Sequence, residues 1–205
     1  MLRRIHLIIL LCIVGFIPTL EGYSLDFDLV GFTGSGTTLN AVCFVPGPTI
    51  GSSDNRYFAV GDRGWVYILK NDGRSFEDSL QLPGGGPEYN LSGVSGFRYG
   101  TDAREVLVIV VGYKRDSTAT GPKWKGAIWR STDRGGTWTR VAENGLPPEV
   151  KRVDAPVPFL DVKVVDRNNA WVSCGNGYLM RSTDGGVSWL LTPRKPVRPG
   201  YMGWF

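Results

Sequence analysis

Ile128-Trp129-Arg130-Ser131-Thr132-Asp133-Arg134-Gly135-Gly136-Thr137-Trp138 returns 51 residues later as Leu179-Met180-Arg181-Ser182-Thr183-Asp184-Gly185-Gly186-Val187-Ser188-Trp189. Both copies match Ser-x-Asp-x-Gly-x-Thr/Ser-Trp, with an apolar-x-Arg lead-in each time. Self-similarity at a fixed period is the sequence signature of a repeat architecture. Each position has a physical task. The apolar residues before the Ser form one strand, and the Thr/Ser-Trp pair begins the next. Between them the chain must reverse, and Ser and Asp side chains hold such a reversal by bonding nearby backbone N–H groups. Gly135 and Gly186 supply backbone angles that residues with a Cβ reach only at a cost. Trp138 and Trp189 then anchor the hairpin in the apolar layer. Asp133 and Asp184 are therefore read as turn pins and not as catalytic carboxylates.

The pattern extends upstream. Residues 160–165 alternate as a half-buried strand, 166–169 make a turn, and 170–174 form a second strand. Gly175-Asn176-Gly177 is a tight hairpin turn, 178–181 a third strand, and the repeat leads into a fourth at 189–192. Four short antiparallel strands in so few residues describe one blade of a β-propeller. The same order fits residues 39–80, where the motif has decayed and Phe76 stands in place of the Trp. A middle unit spans 91–142, with Gly112 to Gly126 read as a long polar loop between its second and third strands. The expected fold is all-β, about three blades at residues 39–80, 91–142 and 157–192, in an incomplete ring or one completed by oligomerisation. The 28 Gly and 13 Pro, with seven Trp and eight Tyr, suit many tight turns between short, half-buried strands.

With these residues in hand, the motif is the Asp-box, or bacterial neuraminidase repeat, carried by Ser131, Asp133, Gly135, Thr137, Trp138 and by Ser182, Asp184, Gly186, Ser188, Trp189. The unit from Asp161 to Trp189 resembles a blade of the photosystem II stability/assembly factor-like group of Asp-box propellers. The resemblance covers residues 39–192 and is strongest in the last unit. It implies a surface that holds a segment of a client protein. Arg63, Arg98, Arg130 and Arg181 are the candidate client-binding residues, lying on or beside strands; the plainer reading is that Arg130 and Arg181 cover the blade surface with their stems. Asp-boxes also occur in sialidases, other glycosidases and sortilin-type receptors, and fold alone does not choose among these. Typical rings have about four to eight blades, so three units leave edges and faces to be covered by a partner subunit, by lost blades or by flanking segments.

The chain begins as an exported protein does. Arg3 and Arg4 precede an almost unbroken apolar run to Phe16, and Leu20-Glu21-Gly22 is a cleavage-site candidate. Residues 1–22 are read as a signal peptide, with an uncleaved anchor as the rival. The expected location is secreted or extracytoplasmic: periplasm, lumen or cell surface. Any membrane association runs through that uncleaved segment or a membrane-protein client. Residues 193–205 form a Pro/Arg-rich tail. The formal charge of +4, or +3 without the leader, is small and dispersed, which argues against a nucleic-acid partner. Cys43 and Cys174 are read as buried free thiols, with a bridge as the alternative in an oxidising compartment.

Little in the sequence points to chemistry. The one histidine, His6, lies in the leader, and no metal-binding spacing occurs, so no metal or cofactor is expected. The three arginines and Tyr/Glu pair of a sialidase are not marked. Asp62, Glu88, Glu105, Asp116 and Asp161 are carboxylates without a partner that would make a glycosidase pair. Asn90-Leu91-Ser92 is a glycosylation sequon, with Asn90 as the acceptor. The reading is a non-enzymatic protein-interaction module of the assembly-factor kind. The alternative is a sialidase-like or other Asp-box glycoside hydrolase, or an inactive fragment of one.

Overall fold

A computed structural model describes residues 38–49, 52–70, 76–102, 105–116, 123–150 and 157–192. The leader and tail readings lie outside them. The chain forms three four-stranded antiparallel sheets, each running in sequence order. The first holds β1 (Leu39–Val45), β2 (Arg56–Gly61), β3 (Trp65–Leu69) and β4 (Phe76–Gln81). The second holds β5 (Tyr89–Arg98), β6 (Val106–Asp116), β7 (Lys123–Ser131) and β8 (Thr139–Arg140). The third holds β9 (Phe159–Val164), β10 (Ala170–Cys174), β11 (Leu179–Ser182) and β12 (Leu190–Leu191). The leading strands stand side by side, β1 against β5 and β5 against β9. These are three propeller blades fanned about their first strands, and among the described residues the ring is not closed.

Two apolar layers hold the fan together. Phe58, Val60, Val66 and Ile68 of the first sheet meet Val94, Val108, Val110 and Trp129 of the second. On its other side the second sheet sets Leu107, Ile109, Val111 and Ile128 against Val162, Val164, Val172 and Met180 of the third. This explains the sequence of β6: every residue from Val106 to Val111 is 0–1% exposed, because odd and even positions enter different layers. A strand covered on both faces reads as a continuous apolar run.

A polar stitch repeats where leading strands meet. The Cys43 thiol sulfur accepts the Gly96 N–H at 3.1 Å, and one blade on the Ser95 hydroxyl accepts the Val164 N–H at 3.0 Å. Burial raises the Cys43 thiol above its ordinary value and pushes Cys174 up to about 12, so both stay as thiols. Cys174 is buried as expected, but Cys43 is only partly covered, and the two are not bridged.

The middle unit differs from its sequence reading. Gly112 and Gly126 do not bound a loop; both lie inside a long hairpin, paired with Ala127 and Tyr113 respectively. A Cβ on Gly112 would stand 2.9 Å from the Leu91 Cα, and one on Gly126 would strike the Phe159 ring at 2.5 Å. Glycine at these positions serves close approach, and residues 113–116 pair with residues 123–126 as a continuation of the two strands.

Candidate functional site

The two Ser-x-Asp turns have the same wiring. The Ser131 hydroxyl donates to Asp133 Oδ1 at 2.8 Å and accepts the Gly135 N–H at 2.9 Å. Asp133 then accepts the Thr137 N–H at 2.8 Å and its hydroxyl at 2.7 Å, and the Trp138 indole N–H reaches the Gly135 carbonyl at 2.9 Å. In the second turn Ser182 bonds Asp184 and the Gly186 N–H, both at 2.8 Å. Asp184 accepts the Ser188 N–H at 3.0 Å and its hydroxyl at 2.5 Å. Trp189 donates to the Gly186 carbonyl at 3.2 Å. Every acceptor of each carboxylate is thus directed into its own turn.

Partial burial alone would raise both carboxyls. The hydrogen bonds from Thr137 and Ser131, and from Ser188, Ser182 and Val187, outweigh it and hold Asp133 and Asp184 below the ordinary aspartate value. A carboxyl whose folded pKa is depressed stabilises the fold above its unfolded pKa, about 3.9, and that stabilisation disappears as pH falls through the folded value. Asp184→Asn is therefore expected to lower stability at pH 7 by about 1 kcal/mol, after allowance for its solvent exposure. It is also expected to flatten the loss of stability below about pH 4. Urea melts at pH 7 and pH 3 check this; a variant with an unchanged acid slope would contradict it.

The four arginines fall on different surfaces. Arg63 is exposed at the β2–β3 turn, its backbone left-handed at φ 64° beside Gly64 at φ 71°. Arg98 ends β5, at the opposite end of the blades, and donates to the Pro46 carbonyl at 2.7 Å and the Asp102 carbonyl at 3.0 Å. Desolvation, and then the nearby Arg134 charge, lower its pKa from the ordinary arginine value. Arg130 lies in the seam between second and third sheets, where its Nε donates to the Gly185 carbonyl at 3.0 Å. Arg181 holds the equivalent place one blade on, exposed on the open face of the third sheet. It lies 5.4 Å from the Trp171 ring centre and donates to Asn169 Oδ1 at 2.8 Å.

Asn90 is half-buried in β5. Its Oδ1 accepts from Asn40 at 2.5 Å and its amide donates to the Tyr113 hydroxyl at 3.4 Å, so a glycan there would displace built contacts. The carboxylates are scattered: Glu88 pairs with Lys114 at 3.3 Å, Glu105 accepts the Asp102 N–H, and Asp161 accepts the Val162 N–H. Among the described residues no three His, Cys, Asp or Glu side chains converge as metal ligands would.

A groove that sequence reading missed lies where the first blade's exit linker crosses the second sheet. It encloses about 370 Å³ and is lined by Tyr89, Lys114, Lys125, Arg140 and Glu143. Strand register brings these residues together: Tyr89 pairs with Lys114, Lys114 with Lys125, and Arg140 with Trp129. Lys114 sits 4.9 Å and Arg140 5.4 Å from the Tyr89 ring centre, a geometry in which cations are held over an aromatic face. Lys114 and Lys125 are neutralised by Glu88 and Glu143, at 3.3 and 2.6 Å. Among the described residues Arg140 instead donates to neutral oxygens, the Gly84 carbonyl at 3.0 Å and the Tyr89 hydroxyl at 2.8 Å. The Glu88 carboxyl accepts its own backbone N–H, and this and then Lys114 hold its pKa below the ordinary value. The groove is a charged surface with the Tyr89 ring in its lining.

No protein-family model and no curated protein matches the chain. Solved structures do. YCF48 from Cyanidioschyzon merolae superposes with a TM-score of 0.54 at 23% identity, covering 81% of this chain and 40% of that one. A structure of YCF48 bound to D1 peptide gives 0.51 at 17% identity, covering 76% and 39%. The chain spans about two fifths of the length of both structures. At these identities the likeness is one of fold: three blades similar to those of the YCF48 β-propeller.

Proposed function

We propose that the chain is a non-enzymatic, extracytoplasmic interaction module that holds a segment of a client protein, in the manner of an assembly or stability factor. The observation that carries this reading is the fold shared with YCF48, a photosystem II assembly factor with one structure holding a D1 peptide. The leader pattern of residues 1–22 supports export, and the wiring of Asp133 and Asp184 favours a structural role for the two turns, read as Asp-boxes. Residues 23–192 are the blade-bearing body in this proposal, and a partner subunit covers the open end of the fan. Of the four arginines, Arg63 stands exposed for a client, whereas Arg181, on the open face of the third sheet, lies where the partner subunit sits in this proposal.

Titration of a labelled D1 peptide, read by fluorescence anisotropy, tests the client reading. Saturable binding is expected, weakened about tenfold, or roughly 1.4 kcal/mol, by Arg63→Glu. A flat titration, together with hydrolysis of a fluorogenic sialoside or glucan, would instead favour the glycoside hydrolase.

A further inference from the structure

Each blade presents the same strand positions to its neighbours, so burial in one blade predicts burial in the next. The stitch fixes the equivalence: Cys43 corresponds to Ser95, and Gly96 to Val164. Val42 therefore occupies the place of Val94 and Val162. Those two are 6% and 4% exposed inside blade seams, whereas Val42 is 71% exposed, and Phe44 beside it 47%. The other end of the fan mirrors this. Leu179 pairs with Ser173 as Ile128 pairs with Val111, and Trp171 pairs with Arg181 as Ile109 pairs with Arg130. Ile109 and Ile128 are both 0% exposed in the second seam, yet Leu179 is 41% exposed and Trp171 only half-buried. The two end faces are halves of a seam of the kind the molecule already makes twice. They are unlike each other, as the two sides of an internal seam are.

We infer that these faces meet between two copies of the chain, the Val42–Phe44 face of one copy on the Trp171–Leu179 face of the other. This deepens the partner-subunit part of the proposed function and rests on it. A two-fold axis along the centre of the fan makes both contacts at once and yields six blades, within the usual range of about four to eight. The closing seams differ from the internal ones at one position. The place of Cys43 and Ser95 falls, in the third blade, to Lys163, which pairs with Trp171 as Ser95 pairs with Ile109. An ammonium donates and does not accept, so the stitch is missing from the closing seams. The association is therefore reversible and visible as a concentration-dependent mass.

Light scattering on the purified protein tests this with Val42→Asp and Leu179→Asp. Both side chains are exposed in the single copy, so circular dichroism is expected to stay unchanged. The wild type gives a two-copy mass, and each variant weakens association about tenfold or more. An equimolar mixture of the two variants recovers two-copy particles, because one of the two seams is then wild type on both sides. A wild type that stays monomeric at every concentration overturns the inference. So does disruption by Val42→Asp alone, which marks a like-face dimer, or a mixture that gives no recovery. Anisotropy of the D1 peptide on monomeric variants reads the client proposal separately.

Discussion

Trp129→Ala is expected to destabilise the protein by about 3–5 kcal/mol, the range for truncating a fully buried tryptophan. The side chain is 0% exposed and belongs to the layer between first and second sheets. Its indole N–H donates to the Pro83 carbonyl at 2.9 Å, which fastens the linker between these blades. Tyr89 meets the ring edge-on at 5.2 Å, and the Arg140 guanidinium lies 5.8 Å from its centre. The substitution therefore opens a cavity, leaves a carbonyl unpaired and removes the support of the groove together. For a chain of this size the melting temperature should fall by roughly 10–15 °C. Trp129→Phe retains most of the apolar volume and loses the hydrogen bond, so its cost should be nearer 1–2 kcal/mol. Paired thermal melts followed by circular dichroism measure both. Equal melting temperatures for the alanine variant and the wild type would mean that the first two blades do not unfold as a unit.

What the sequence disclosed follows from how far apart the interacting groups are. The turns were legible because Ser131, Asp133, Gly135 and Thr137 satisfy one another within four residues, and local chemistry leaves a local pattern. The blade order was legible for the same reason, since hairpins join neighbours in the chain. The groove was not. Tyr89, Lys114, Lys125 and Arg140 become neighbours only through strand register, and nothing near any one of them in the chain announces the others. Gly112 and Gly126 misled in the opposite direction. A glycine chosen to let the backbone approach Leu91 or the Phe159 ring looks, in sequence, like one chosen for a turn.

The arginines show the same limit in another form. Arg130 and Arg181 carry one motif position, yet Arg130 is half-buried at a seam and Arg181 stands exposed, because among the described residues only the first has a following blade. Likewise Arg98 and Arg134, 36 positions apart, come close enough at one end of the blades that the Arg134 charge bears on Arg98. Repeat position tells which groups are equivalent; the neighbouring blade decides what each does.

Gly186→Ala should be the second costly change, at about 3 kcal/mol. Gly186 has φ +85°, and entry to the left-handed region costs a residue with a Cβ about 1–2 kcal/mol. A second cost adds to the first. The new Cβ would stand 2.7 Å from the Ile109 Cδ1 of the preceding blade, and Ile109 is 0% exposed with nowhere to withdraw. Overfilling a packed layer adds about 1–3 kcal/mol. Gly177 separates the two contributions: its φ is +68°, but nothing lies within 4 Å of an added Cβ. Gly177→Ala should therefore cost only about 1 kcal/mol, the backbone part alone. Gly135 repeats the Gly186 arrangement one seam earlier, with φ +85° and an added Cβ 2.9 Å from both Ile68 Cδ1 and Phe58 Cε1. Gly135→Ala should match Gly186→Ala in chemical denaturation. If Gly186→Ala and Gly177→Ala proved equally mild, the repeat glycine would be serving its own turn only. A difference of about 2 kcal/mol between them would locate the second task of that glycine in the seam, where it lets one blade's turn lie against the apolar face of the blade before it.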